Sequence, residues 1–183
     1  MDCGFLRRYN HPARVRRGAV YQLIDNYVLF YFHFLETWKG NDPQFWTHHY
    51  TSPKLNAWRG LSFERLCFWH IPQIKNALGI SGIGADVYSW RGADSDGRKA
   101  QIDMLIDRND NTVNICEMKY SQDEYELTEE EAAKIRRRGV LFQCATKSRK
   151  SIQNVLVSNY GMRRSKYSGI IHREVTLSDF FRE

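Results

Sequence analysis

The sequence predicts an α/β protein of the α+β type, with a mixed central sheet flanked by helices. Two stretches in the first half have the three-to-four-residue spacing of apolar side chains that is typical of amphipathic helices. Three strand-like segments follow between residues 85 and 120. A capped helix and a further β-branched segment come next, and such an alternation favours helices packed on a sheet.

The first 53 residues are expected to form two small segments ahead of the main domain, which spans 54–183. Residues 1–19 are strongly basic and predict a hairpin with strands at 5–8 and 14–21, turning around Asn10-His11-Pro12. Residues 20–53 predict an aromatic amphipathic helix over 20–38 and a polar connection over 39–53.

The main domain is predicted to begin with a helix over 55–70, which Pro72 ends, and a short helix over 72–78, which Gly79 stops. A strand over 85–91 and a loop over 92–97 follow. Strands over 100–108 and 112–120 are separated by a turn-rich tetrapeptide, so they are expected to pair as an antiparallel hairpin.

The last third continues the alternation. Thr128 followed by Glu131 forms a capping box for a helix that runs through Arg138 and extends at most to Lys147. A β-branched run predicts a strand over 152–157, a last strand is expected over 167–173, and a terminal helical turn over 176–181.

The hairpin at 100–120 carries the chemistry. Because strand side chains alternate between faces, the first strand is expected to place four of them on one face: Gln101, Asp103, Leu105 and Asp107. The opposite face should hold Ile102, Met104 and Ile106. In the second strand one face should hold Ile115, Glu117 and Lys119. Carboxylates are costly to bury unpaired, so two carboxylates and an ammonium on one side of a ribbon indicate a divalent cation site.

This pattern resembles the PD-(D/E)XK nuclease superfamily, in which an aspartate near the end of one strand precedes Glu-x-Lys on the next. Asp103 matches the aspartate, and Glu117-Met118-Lys119 matches the Glu-x-Lys. A further glutamate often lies on the first core helix, where Glu64 is the candidate, and Ile102 stands at the variable proline position. The resemblance implies a restriction-endonuclease-like α-β-β-β-α-β core, which agrees with the predicted order of elements.

Four further segments, 21–27, 29–32, 56–64 and 68–74, resemble the C-terminal region of prokaryotic AAA-type ATPases. In that family a nuclease-like domain of unknown role follows an ATPase module and a winged helix. The resemblance implies an AAA-type ATPase partner, in cis or as a separate chain. It also implies that 1–19 is the remnant wing of a winged helix, which should be mobile or pack on a neighbouring chain because it lacks its own core.

The superfamily resemblance implies hydrolysis of DNA or RNA phosphodiesters with Mg²⁺ or Mn²⁺. The candidate catalytic residues are Glu64, Gln101, Asp103, Glu117 and Lys119. The candidate metal ligands are Asp103, Glu117, the backbone carbonyl of Met118, and Glu64. Mg²⁺ prefers such oxygen ligands. Lys119 would position the nucleophile or neutralise the charge that grows on the phosphorane, and Gln101 would hydrogen-bond a water or a phosphate.

Each candidate also has an ordinary structural interpretation. Glu117 and Lys119 could be an exposed cross-strand charge set, and Asp103 could cap a turn or pair with an arginine. Glu64 could form a salt bridge with an arginine of its own helix, and Gln101 could be polar surface. These interpretations leave a second function open, a non-catalytic nucleic-acid-binding or partner-docking domain that serves the ATPase.

The net charge of +6 favours a polyanionic partner, with DNA preferred, and a steep salt dependence of binding. The candidate nucleic-acid-binding residues are Arg7, Arg8, Arg14, Arg16 and Arg17. Solvated helix faces and loops are the alternative explanation for such basic clusters. No P-loop and no Gly-x-Ser-x-Gly elbow is present in the sequence, which argues against ATP binding by this route and against an α/β-hydrolase.

Location and assembly follow from composition. Cys67 and Cys116 lie in apolar runs without metal or redox spacing, so they are expected to be reduced core residues of a cytoplasmic protein. No apolar stretch reaches the length needed to cross a bilayer, so no membrane association is expected. The aromatic surface over 27–46 is expected to support self-association, because large exposed apolar patches tend to find partners.

Overall fold

A computed structural model describes residues 5–8, 21–36, 38–40, 42–93 and 97–182. The strands of this part of the chain are β1 Leu6–Arg8, β2 Tyr21–Leu23, β3 Ala85–Ala93, β4 Lys99–Arg108, β5 Thr112–Lys119, β6 Tyr125–Glu126, β7 Ser151–Ser158, β8 Met162–Arg163 and β9 Arg173–Thr176. The α-helices are α1 Asn26–Phe30, α2 Phe45–His49, α3 Pro53–Trp69, α4 Ile71–Ala77 and α5 Glu129–Thr146. The predicted fold class, with its order of helix, three strands, helix and strand, is confirmed.

The central sheet has five strands in the order β3-β4-β5-β7-β9. Strand β4 runs antiparallel to its neighbours β3 and β5, whereas β5, β7 and β9 run parallel, so the sheet is mixed as predicted. Parallel strands end at the same side of a sheet. Lys119, Ser158 and Thr176 therefore mark one edge, which we call the carboxyl edge.

Helices cover both faces of this sheet. On one face Phe63 and Cys67 of α3 pack with Ile74 of α4, and this cluster includes Met104 of β4 and Met118 of β5. On the other face, α5 supplies side chains to two clusters. Their central members are Phe142 with Leu105 and Ile115, and Ile135 with Leu156. Cys67 and Cys116 are buried in the first cluster, in the core positions expected.

The two helices before the sheet lie within two residues of their predicted bounds. Helix α3 begins at Pro53 because the side chain of Ser52 accepts a hydrogen bond from Leu55 N at 3.3 Å. Gly79, with φ of +71°, follows α4 and stops it as predicted. No helix of the described residues is both long enough and apolar enough to cross a membrane.

The predicted helix over 20–38 is wrong at its start. Residues Tyr21–Leu23 form β2, which pairs antiparallel with β1. The helix begins only at Asn26, where the Asp25 side chain caps it by accepting from Val28 N at 2.6 Å, and it continues as a π-helix over Tyr31–Leu35. Pairing with a distant strand overrides the local helical pattern here. The predicted strand over 14–21 lies almost wholly in 9–20, outside the described residues.

The strand pair β1–β2 contacts helix α3 of the same chain. The guanidinium carbon of Arg7 lies 3.5 Å from the ring centroid of Phe68 in α3. The same guanidinium donates to Gln22 Oε1 at 3.1 Å. Of the predicted wing over 1–19, β1 is thus held on α3 of its own chain by a cation–π contact.

Two further predictions are corrected in the remaining connections. The polar connection over 39–53 contains α2. The strand predicted over 167–173 is a 3₁₀ turn at Ser168–Ile170, and the last strand is β9. Ser165 N donates to Ser168 Oγ at 2.8 Å, and such local serine hydrogen bonds favour a turn over a strand. The capping box of α5, the strand β7 and the terminal helical turn at Leu177–Phe181 are confirmed.

Candidate functional site

A β-bulge in β4 determines where the predicted site residues point. Tyr88 of β3 lies opposite Leu105, but Trp90 lies opposite Ile102, so Asp103 and Met104 together face the single residue Ser89. The hydroxyl of Ser89 donates to the carbonyl oxygen of Asp103 at 2.5 Å. Bulges re-aim side chains by adding one residue to one strand of a pair.

The bulge breaks the alternation predicted for this strand. Met104 packs in the cluster beneath α3 and α4, whereas Ile102 and Leu105 both pack in the cluster on the α5 face. The expectation that Ile102 shares a face with Met104 is therefore wrong. Asp107 follows the face of Leu105, where it pairs with Lys150 at 2.5 Å, and so it is separated from Asp103.

Asp103 and Glu117 lie where two strands part. The pairing of β4 with β5 ends at Met104 and Cys116, immediately before these two acids. Gln101, which is exposed, donates from Nε2 to Asp103 Oδ1 at 2.5 Å. Its amide therefore orients one oxygen of the Asp103 carboxylate.

The pKa of Glu64 depends on the charges of both of these acids. Glu64 lies in the interior of α3 rather than at a helix end, and it is partly buried. Burial, and after it the negative charges of Asp103 and Glu117, raise the pKa of its carboxyl to about 7, and the positive charges of Arg65 and Lys119 oppose the rise. Three predicted acids and the predicted lysine thus interact across three separate elements.

Glu117 carries a cation on each oxygen. Oε1 lies 3.1 Å from the Nζ of Lys119, and Oε2 accepts a hydrogen bond from Nη1 of Arg138 on α5. Its side chain is only 15% exposed. Glu117 is therefore largely shielded from solvent beside α5, whereas Lys119 is 32% exposed.

Lys119 lies between two carboxylates. Its Nζ is 3.7 Å from Oε1 of Glu131 and 5.8 Å from the ring centroid of Tyr125. The Tyr125 hydroxyl donates to Glu131 Oε1, while Oε2 accepts from Thr128 N at 3.3 Å to close the capping box. Burial raises the pKa of the Glu131 carboxyl, but these hydrogen bonds outweigh it and hold the pKa below its usual value. Glu131 therefore presents a stable negative charge to Lys119.

Sequence reasoning missed Glu131 and Arg138 as members of this site. The sequence identifies Glu131 only as a capping residue, and Arg138 only as one of four basic residues close together, Lys134, Arg136, Arg137 and Arg138. Their spacing of seven residues places both on one face of α5. The N-terminus of a helix that connects parallel strands lies near the carboxyl end of the first strand, so that spacing was the available signal.

The donor chemistry suits a hard divalent cation. The negative charges of Asp103 and Glu117 raise the pKa of Glu64, and a positive ion placed among such carboxylates would be stabilised by them. Within the described residues no three histidine, cysteine, aspartate or glutamate side chains converge as a ready-made metal cluster. Mg²⁺ is commonly held by one or two carboxylates with waters and substrate oxygens, and Asp103 and Glu117 are carboxylates of this kind. Met118, between the matched residues, buries its side chain in the core.

Of the five arginines predicted to bind nucleic acid, two lie within the described part of the chain. Arg7 is engaged with Phe68 and Gln22, as described above. Arg8 is the last residue of β1. Arg14, Arg16 and Arg17 lie outside the described residues.

No protein-family model matches the chain, and no curated protein matches it significantly. Among solved structures, the chain is similar to the crystal structure of a protein of unknown function, AF1548, at 16% identity and a TM-score of 0.40. The similarity covers 58% of this chain and 54% of that one. The chain therefore spans about half the length of that structure.

Proposed function

We propose that this chain is a metal-dependent nuclease-like domain that hydrolyses phosphodiester bonds of nucleic acids. The observation that supports this most is the electrostatic coupling of Glu64, Asp103 and Glu117 with Lys119 at the carboxyl edge. Ligand sites of open α/β sheets favour that edge. Partly buried acids with raised pKa values are also more frequent at functional sites than elsewhere.

Each residue has a role that follows from its position. Asp103 and Glu117 would hold Mg²⁺ or Mn²⁺, with the Met118 carbonyl as a further oxygen, and the ion would supply an activated water and Lewis acidity. Gln101 keeps the Asp103 carboxylate oriented. Lys119, fixed between Glu117 and Glu131, would neutralise charge that develops on the phosphate. Glu64 would accept a proton or join the metal ligands.

A nucleic acid, with DNA preferred, is the proposed substrate. The net charge of +6 supplies the long-range attraction, and exposed cations flank the site on two elements. Lys99 lies two residues before Gln101 on β4, and Arg91 lies opposite Gln101 on β3. Binding through such exposed cations is expected to weaken steeply as salt rises.

A second candidate is a non-catalytic docking domain of an AAA-type ATPase, in cis or as a separate chain in the cytoplasm. The sequence resemblance supports it, and so does an exposed aromatic surface. The exposed members of that surface are Tyr27, Tyr31, Phe32, Trp38, Trp46 and Tyr50. The same surface could join two copies of the chain. Light scattering that shows a monomer at high micromolar concentration would argue against self-association.

Calorimetric titration with Mg²⁺ and with Mn²⁺ tests the catalytic proposal first. The wild type should bind, Asp103→Ala and Glu117→Ala should lose binding, and Asp107→Asn, a matched acid outside the site, should retain it. Cleavage of mixed DNA and RNA in the presence of the metal should follow the same order. Metal binding without cleavage would favour the docking function, and no binding at millimolar metal would exclude the catalytic one.

A further inference from the structure

The ion pair between Glu117 and Arg138 occupies an oxygen that a metal ion would need. Nη1 of Arg138 donates to Oε2 of Glu117, and the two side chains are only 25% and 15% exposed. Lys119 holds the other oxygen at 3.1 Å. Each oxygen of Glu117 therefore already lies beside a cation, and a metal ion would meet a positive charge at either one.

The fold fixes Arg138 near this carboxylate. Gly139, the next residue of α5, packs closely against the sheet, since a Cβ built there would lie 3.5 Å from Cγ2 of Ile152 and 3.9 Å from Cδ1 of Ile115. The backbone of α5 therefore approaches β5 and β7 at this point, which leaves Arg138 a short reach to Glu117. The pair also draws Glu117 toward α5, whereas Asp103 and Glu64 belong to the side of α3.

We propose that Arg138 and the metal ion compete for Glu117. Arg138 neutralises the carboxylate in the metal-free protein, and it must leave when a divalent cation binds, because a dication and a guanidinium repel each other at one oxygen. Released from Glu117, the guanidinium is a donor suited to a phosphate group of the substrate. This inference rests on the proposed function and adds to it a residue that switches from the ligand to the substrate.

Opposite effects on two measurements distinguish this switch from a structural salt bridge. Arg138→Gln should bind Mg²⁺ about tenfold more tightly, because the metal no longer displaces a charge-assisted hydrogen bond. The same variant should bind a short duplex DNA several-fold more weakly in the presence of Mg²⁺. A structural salt bridge would instead weaken both, since its loss would loosen α5 on β5.

The experiment compares four proteins by calorimetric titration with Mg²⁺ and by fluorescence anisotropy with labelled duplex DNA. They are the wild type, Arg138→Gln, Arg138→Met and the control Arg136→Gln. Arg138→Met keeps the apolar stem, so it serves if the glutamine variant is poorly folded by circular dichroism. Arg136 is exposed, so its substitution should leave the metal affinity unchanged.

Tighter metal binding in both folded Arg138 variants, with weaker DNA binding, would support the switch. Unchanged or weaker metal binding in a folded variant, beside a wild type that binds metal, would overturn this inference and leave the proposed function intact. A wild type that binds no metal would overturn the proposed function, and the switch with it.

Discussion

Replacing Glu64 with glutamine should stabilise the protein at alkaline pH and leave it unchanged in acid. The carboxyl of Glu64 has its pKa raised from 4.5 to about 7 by burial and by the charges of Asp103 and Glu117. The folded state therefore holds a proton between pH 4.5 and 7 that the unfolded chain releases. Linkage then makes stability fall as pH rises through this window, with the full penalty present above about pH 8.

The size of the penalty follows from the same values. A rise in pKa from 4.5 to about 7 corresponds to at most about 3.4 kcal/mol of unfolding free energy. Glu64 is only partly buried, so solvent screening reduces this to about 1–2 kcal/mol. Glutamine has nearly the same shape and no charge. Glu64→Gln should therefore recover about 1–2 kcal/mol at pH 8 and close to nothing at pH 4.

Urea denaturation at pH 4 and pH 8, followed by circular dichroism, measures this difference. Glu130→Gln is the matched control, because Glu130 is an exposed helical glutamate whose only charged partner among the described residues is Lys134 at 2.7 Å. Its substitution should change stability by less than about 0.5 kcal/mol at either pH. An equal gain at both pH values, or a loss at pH 8, would refute the assignment of Glu64 to a cluster of like charges.

Three substitutions test the local structure, each by urea denaturation. Thr128→Ala removes the capping hydroxyl of α5, which accepts a hydrogen bond from Glu131 N at 3.3 Å. The free energy of unfolding should fall by about 1 kcal/mol, and an unchanged value would contradict the capping box. Lys147→Gly should stabilise by about 0.5–1 kcal/mol, because Lys147 has φ of +55°, and a destabilised variant would contradict this left-handed conformation. Gly92→Ala should lower the free energy of unfolding by about 1–3 kcal/mol, because the new Cβ would lie 2.4 Å from the ring of Trp90. An unchanged urea midpoint with unchanged tryptophan fluorescence would contradict that contact.

Helices marked by local chemistry were predicted well. Ser52 and Thr128 signal the starts of α3 and α5 through hydrogen bonds within three residues, so neighbouring sequence contains the information. The start of the first helix was mispredicted because Tyr21–Leu23 pair with β1, and no local pattern encodes a partner more than ten residues away. The 3₁₀ turn at Ser168–Ile170 was missed because its β-branched neighbours suggest a strand.

The identity of most site residues could be predicted from the sequence, but the way they are arranged in space could not. Asp103, Glu117 and Lys119 stand out because charges interrupt apolar strand segments, and the structure brings them together with Glu64. Their contacts with α5 depend on how that helix crosses the sheet, which is a property of packing. Arg138 gave no signal beyond membership of a basic run, since most such runs are solvated surface.

The bulge at Asp103 determines whether Asp103 and Asp107 act on the same neighbouring groups or on different ones. Regular alternation would put Asp103 and Asp107 on one face, so that both would act on nearby groups in the same way. The observed register directs Asp103 toward Glu64, whereas Asp107 accepts from the Tyr88 hydroxyl at 3.1 Å and pairs with Lys150 on the α5 face. Removing the charge of Asp103 should therefore lower the pKa of Glu64, and removing that of Asp107 should not.

Carboxyl ¹³C chemical shifts, followed from pH 3 to pH 9, give the pKa of Glu64 directly. Asp103→Asn should lower it from about 7 toward the ordinary value without reaching it, because burial remains and only one of the repelling charges is lost. Asp107→Asn should leave it unchanged, and both asparagine side chains keep the size of the original. An equal decrease in both variants would mean that β4 alternates regularly past Asp103. In that case the metal ligands would have to be sought on the α5 face, together with Glu117.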